Sequence, residues 1–110
     1  MTSKKLLSII EKGESLTVEF KQRFSTHRKI AKEFIALANT SGGKVLFGVD
    51  DDGSIYGVES EKGESELINE VFQEYCEPKI EYEIDLVELF GKDIIVVTIE
   101  ESNIKPHRIQ

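Results

Sequence analysis

Six residues between positions 21 and 32 carry the chemistry most easily read from this chain: Lys21, Arg23, His27, Arg28, Lys29 and Lys32. Five permanent cations and a histidine lie on one strand end, one loop and one helix start. Such a set could neutralise phosphates, each released counterion adding affinity that falls with salt. The run shows no aromatic interleaving of the kind that stacks bases, so any contact is expected with a nucleic-acid backbone rather than with sequence. A solvated loop and helix face is the equally open alternative. Lys21, Arg23, Arg28, Lys29 and Lys32 are the nucleic-acid-binding candidates.

Other residues of chemical type carry less. Ser41-Gly42-Gly43-Lys44 lacks the upstream glycine of a phosphate-binding loop, and Val45 stands at its Ser/Thr position. The glycines also follow a helix and precede a strand, the reverse of that loop, so nucleotide hydrolysis is not expected here. His27 and His107 have no partner at metal-ligand spacing and read as surface residues, with Lys105-Pro106-His107 shaping the end of the chain. Asn39 and Thr40 read as capping or turn residues.

The elements that must position these residues follow from periodicity. Residues 3–12 place Leu6, Ile9 and Ile10 on one helical face, and Gly13 is a natural stop. Residues 17–21 read as a strand with Val18 and Phe20 on one side and Thr17, Glu19 and Lys21 on the face opposite the core. A polar loop over 22–29 leads to a helix over 28–39, with Ile30, Phe34, Leu37 and Ala38 as its stripe. Val45-Leu46-Phe47-Gly48-Val49 hardly alternates, which predicts a central strand covered on both faces. Asp50-Asp51-Asp52-Gly53 reads as a turn, with 55–58 as its hairpin partner.

A third helix is expected over 64–76, before Pro78. Residues 80–86 alternate as a strand with one wet acidic face, and the step at Leu86-Val87 suggests a bulge or the end of regular pairing. Residues 90–93 turn into a last buried strand over 94–99. The order predicts an α+β fold: a mixed, mainly antiparallel sheet of about five strands packed with two to three helices.

Composition bounds the function. The chain has 110 residues, 39% hydrophobic and 32% charged, as in a single folded domain. No apolar run reaches the roughly 20 residues of a membrane span. One cysteine, Cys76, excludes an internal disulfide and a cysteine-based zinc site, and fits a reducing cytoplasm. The net charge of −7 argues against a generic nucleic-acid binder. Its distribution is uneven: residues 1–48 carry a net +5 and residues 49–110 a net −12. Such asymmetry can set a basic face on an acidic body.

Several stretches resemble the AlbA-like domain of the Schlafen family and its bacterial relatives: ESLTVEFK (14–21), ALANTSGGKVLFGVDDDGSIYGV (36–58), IIVVTIEES (94–102) and KPH (105–107). The resemblance covers most of the chain. It implies a cytoplasmic domain, 1–110, forming the N-terminal part of a longer bacterial regulatory protein. For bacterial members it implies DNA or RNA binding, with no cofactor required. For some animal members it implies metal-dependent cleavage of structured RNA by three carboxylates, whose matching positions here are Glu14, Glu19 and Asp51. Those enzymes pair two such domains into one basic groove, so cleavage by this acidic chain would call for a homodimer.

Two carboxylates about 5 Å apart repel by roughly 3 kcal/mol at an effective dielectric near 20. A cluster therefore persists when solvated, when one member holds a proton, or when a cation neutralises it. Mg²⁺ or Mn²⁺ is the hard ion such oxygens would take if the chain is a nuclease. Alternatively, Glu14 ends a helix or loop, Glu19 pairs with a lysine, and Asp51 only makes its turn. The leading expectation is a nucleic-acid-binding module. A metal-dependent ribonuclease, and a dimerisation or protein-interaction domain using an edge strand or the acidic 80–86 face, are the alternatives.

Overall fold

The computed structural model describes residues 1–110. Three helices start on hydroxyl caps that satisfy otherwise orphaned N–H groups. Thr2 accepts from Lys5 at the start of α1 (Ser3–Lys12), Thr26 from Lys29 at the start of α2 (His27–Asn39), and Ser60 from Gly63 at the start of α3 (Glu61–Glu70). Beyond α3 the helix loosens into a π-helical turn, Val71–Tyr75. The third helix thus begins three residues before the expected position and does not stay α-helical to its end.

Six strands complete the chain: β1 (Val18–Lys21), β2 (Gly43–Phe47), β3 (Cys76–Glu77), β4 (Tyr82–Leu89), β5 (Lys92–Ile99) and β6 (Arg108–Ile109). They form a four-stranded sheet in the order β1-β2-β5-β4 and a separate β3-β6 pair. β1 and β2 are parallel, with Glu19 opposite Val45; the other ladders are antiparallel. The α+β class and the mixed, mainly antiparallel sheet are as expected, but one main sheet of four strands and a two-strand annex replace a sheet of about five.

Both faces of the sheet are covered, which is why β2 and β5 read as continuous apolar runs. Val45, Phe47, Ile95, Val97 and Ile99 face α2 and α3, in a core with Ile30, Phe34, Ile68 and Phe72. Leu46, Val49, Ile94 and Val96 face α1, in a smaller core with Leu6, Ile10 and Phe20. In the larger core Phe34, Phe72 and Tyr82 stack, with ring centroids 4.3 and 3.7 Å apart. Each such side chain contributes about 1.5–3 kcal/mol by leaving water.

β4 corrects one expectation. Its pairing with β5 runs unbroken from Tyr82 opposite Ile99 to Leu89 opposite Lys92, with no bulge at Leu86-Val87. The apolar phase changes because the covering layer changes. Tyr82 and Ile84 pack on the α2–α3 side, and Val87 and Leu89 pack on the α1 side. Phe90 (φ 53) and Gly91 (φ 73) then close the β4–β5 hairpin, the paired positive φ values that suit its twist.

Residues 55–58 do not form a hairpin strand with β2. One bridge joins Val49 and Ile55, and the chain then crosses the end of the sheet. No helix is long and apolar enough to cross a membrane.

Candidate functional site

Four of the five basic candidates collect where β1 leads into α2. Arg23 lies in the connecting loop, Arg28 and Lys29 in the first turn of α2, and Lys32 one turn further on; all four are exposed. None takes part in an ion pair. The first turn of α2 contains no acidic residue. A helix N-terminus already carries a partial positive charge, so cations there cost stability unless an anion meets them.

The surroundings hold this end in place. The Phe24 N–H donates to Glu64 Oε2 at 2.9 Å, tying the loop to α3. His27 Nε2 lies 2.8 Å from Glu70 Oε1. Its ring stacks on Tyr75 and meets the edge of Phe24, with both centroid distances 5.1 Å. His27 is therefore a half-buried bracket between α2 and the π-helical turn.

Lys21, the fifth candidate, is committed elsewhere. Its Nζ lies 2.7 Å from Glu33 Oε1 and 4.0 Å from Glu19 Oε1. Strand alternation explains this: Val18 and Phe20 turn to the α1 core, which leaves Glu19 and Lys21 facing the α2 side. That face is packed rather than open, as the sequence had suggested, and α2 presents Glu33 to it. Helical phase sets Glu33 one position before the core residue Phe34. A lone acid within the basic first half of α2 was the available signal, and it was missed.

The carboxylates gather differently from the set implied by resemblance. Glu14 Oε1 accepts the Phe20 N–H at 3.2 Å. Glu19 and Glu33 both lie against the Lys21 ammonium. Hydrogen bonding with Glu33, then burial, then the Glu33 charge, raise the Glu19 carboxyl to about 7; Lys21 opposes the rise and Glu14 adds to it. Glu33 Oε2 is buried and meets no hydrogen-bond donor.

Asp51 lies apart, exposed in the turn where Asp52 Oδ1 accepts the Ser54 N–H at 2.9 Å. No three His, Cys, Asp or Glu side chains stand close enough together to hold a metal ion. With an ammonium between Glu19 and Glu33, and Glu14 engaged by the backbone, Glu14, Glu19 and Asp51 do not fit a divalent ion as arranged. Glu14, Glu19, Lys32 and Glu33 instead line a cleft of about 500 Å³ beside β1.

His107 is not a surface residue. It is 3% exposed. The Asn39 side chain clamps its backbone, accepting from His107 N–H at 2.7 Å and donating to its carbonyl at 3.0 Å. Nδ1 lies 2.6 Å from the Pro78 carbonyl, to which it donates, and Nε2 is hydrogen-bonded with the Ser102 hydroxyl. The KPH segment thus fastens the chain end, and β6 beyond it, onto α2 and β3.

The fold has solved relatives. The N-terminal domain of a Nitrosomonas europaea protein, named as related to the ATP-dependent DNA helicase RecG, superposes with a TM-score of 0.74 at 22% identity. The match covers 100% of this chain and 81% of that one. The DIP2311 protein from Corynebacterium diphtheriae gives a TM-score of 0.63 at 18% identity, over 94% of this chain and 22% of its own length. At these identities the likeness speaks for the fold. No curated protein matches the sequence. Residues 14–110 match the family described as Schlafen, AlbA_2, and the chain belongs to that family.

Proposed function

We propose that this domain binds nucleic acid, DNA or RNA, by its phosphate backbone, through Arg23, Arg28, Lys29 and Lys32. One observation carries the reading: four exposed cations without ion-pair partners lie in the loop before α2 and in its first two turns, and the first turn of α2 itself has no acidic residue. Backbone N–H groups and side-chain charges there act in the same direction on an anion. The acidic remainder of the chain repels phosphate and so restricts docking to this end. The RecG-related name of the Nitrosomonas europaea protein agrees with a nucleic-acid role, here within a bacterial regulatory protein. Binding of a phosphate backbone by arginine and lysine calls for no cofactor and no cleavage.

The test is a titration of labelled duplex DNA and structured RNA at about 50 and about 200 mM salt, with and without Mn²⁺. Four phosphate contacts weaken affinity about a hundred-fold across that range. Products that stay intact with Mn²⁺ agree with binding alone, whereas cut RNA would return Glu14, Glu19 and Asp51 to a catalytic role. Absence of binding to either polymer would leave self-association through the β4 edge as the reading to pursue.

A further inference from the structure

Arg23 lines a cleft together with an aromatic residue that lies far from it in sequence. After β2 the chain folds back over the end of the sheet, and the N–H groups of Tyr56 and Gly57 both donate to the Gly48 carbonyl at 2.9 Å. The Val58 N–H donates to the Asp93 carbonyl, also at 2.9 Å. The approach is close: a methyl on Gly48 (φ 104) would stand 3.0 Å from Gly57 Cα, and one on Gly57 (φ 77) would stand 2.9 Å from Lys92 Cβ. Two glycines thus seat this loop against the sheet. The Tyr56 backbone is pinned, yet its side chain remains 52% exposed.

Between this loop and the segment after β1 lies a cleft of about 460 Å³. Its lining includes Gln22, Arg23, Phe24, Tyr56, Glu59 and Glu64. Tyr56 offers a flat ring and Arg23 a cation with no carboxylate partner. Gln22 can both donate and accept, and Glu59 only accepts. Glu64 has one oxygen committed to the Phe24 N–H. The carboxylates oppose a phosphate inside the cleft but can accept from the amino and imino groups of a base. A base within a duplex stack cannot enter; an unpaired base can.

We propose that Tyr56 and Arg23 form a subsite for one unpaired nucleotide, with the base stacked on the Tyr56 ring and the adjoining phosphate on Arg23. The subsite rests on the backbone-binding reading above and narrows its ligand to a polymer with single-stranded positions. Base stacking on an aromatic side chain is tolerant of sequence, so the subsite selects strandedness rather than a base order.

Fluorescence-anisotropy titrations of a labelled single strand, and of a duplex of the same sequence, test this with the 110-residue chain. Tyr56→Ala weakens single-strand binding by about ten-fold and leaves duplex binding unchanged. Tyr56→Phe restores single-strand affinity, because the ring and not the hydroxyl does the stacking. Thermal melting shows that both variants are folded. An unchanged single-strand affinity in Tyr56→Ala, with both polymers weakened by Arg28→Glu/Lys29→Glu, would overturn the subsite and leave the backbone reading standing. A wild-type chain that binds neither polymer would overturn both.

Discussion

The ammonium of Lys21 and the carboxylate of Glu33 meet at 2.7 Å, joining the end of β1 to the middle of α2. The contact takes one cation out of the basic run and gives Glu33 its only ionic partner. Lys21→Ala should therefore lower stability by about 1–3 kcal/mol, the cost of leaving a mostly buried carboxylate without its charged donor. It should change the salt dependence of nucleic-acid binding little. Lys32→Ala should do the reverse, reducing the salt slope by about one contact with near-wild-type stability. Urea denaturation and salt titration of the two variants separate these roles.

Glu19 makes stability depend on pH in a defined direction. Its carboxyl rises from 4.5 to about 7 in the folded protein. The native state thus holds a proton that the unfolded chain releases. The favourable contribution is complete below 4.5 and is lost as pH rises through about 7. Glu19→Gln keeps a donor for Glu33 without titrating, so it should remove this decline and be more stable than wild type at about pH 8. Denaturation at several pH values measures it; an unchanged slope in the variant would place the titration elsewhere.

Asn39 is the clamp on the chain end. Asn39→Ala leaves the His107 N–H and carbonyl without partners in a buried site and should cost about 1–3 kcal/mol. The loss should be local at first. Hydrogen exchange should quicken at Gln110, whose N–H donates to the Tyr75 carbonyl, before it quickens in β5.

The stack of Phe34, Phe72 and Tyr82 anchors α2 over the sheet. Phe72→Ala should cost about 3–5 kcal/mol, through lost burial and the cavity left behind. Because this core fixes the helix that bears Arg28, Lys29 and Lys32, nucleic-acid affinity should fall only as the folded fraction falls. Affinity corrected for folded protein, measured below the melting transition, should match wild type.

Much of the fold was legible because local and global signals agree. The unalternating Val45–Val49 run announced a strand covered on both faces, and the 28–39 stripe announced its helix. The parallel pairing of β1 with β2 was not legible, since partner choice across α2 leaves no local mark. Leu86-Val87 was misread because a change of covering layer and a bulge produce the same slip in pattern. His107 looked isolated because its partners, Asn39, Pro78 and Ser102, come from three segments. At the site, the basic run stood out in sequence. The Glu19–Glu33 pair depends on helical phase, and the cleft that Tyr56 and Arg23 share depends on a loop seated by the Gly48–Gly57 contact.

The most direct test of the central claim is the salt dependence of nucleic-acid affinity for wild type and for Arg28→Glu/Lys29→Glu. The account expects wild type to lose about a hundred-fold in affinity between about 50 and 200 mM salt. The double variant should bind more weakly at low salt, with a slope smaller by about two contacts. Equal affinity and equal slope in the two proteins would contradict it.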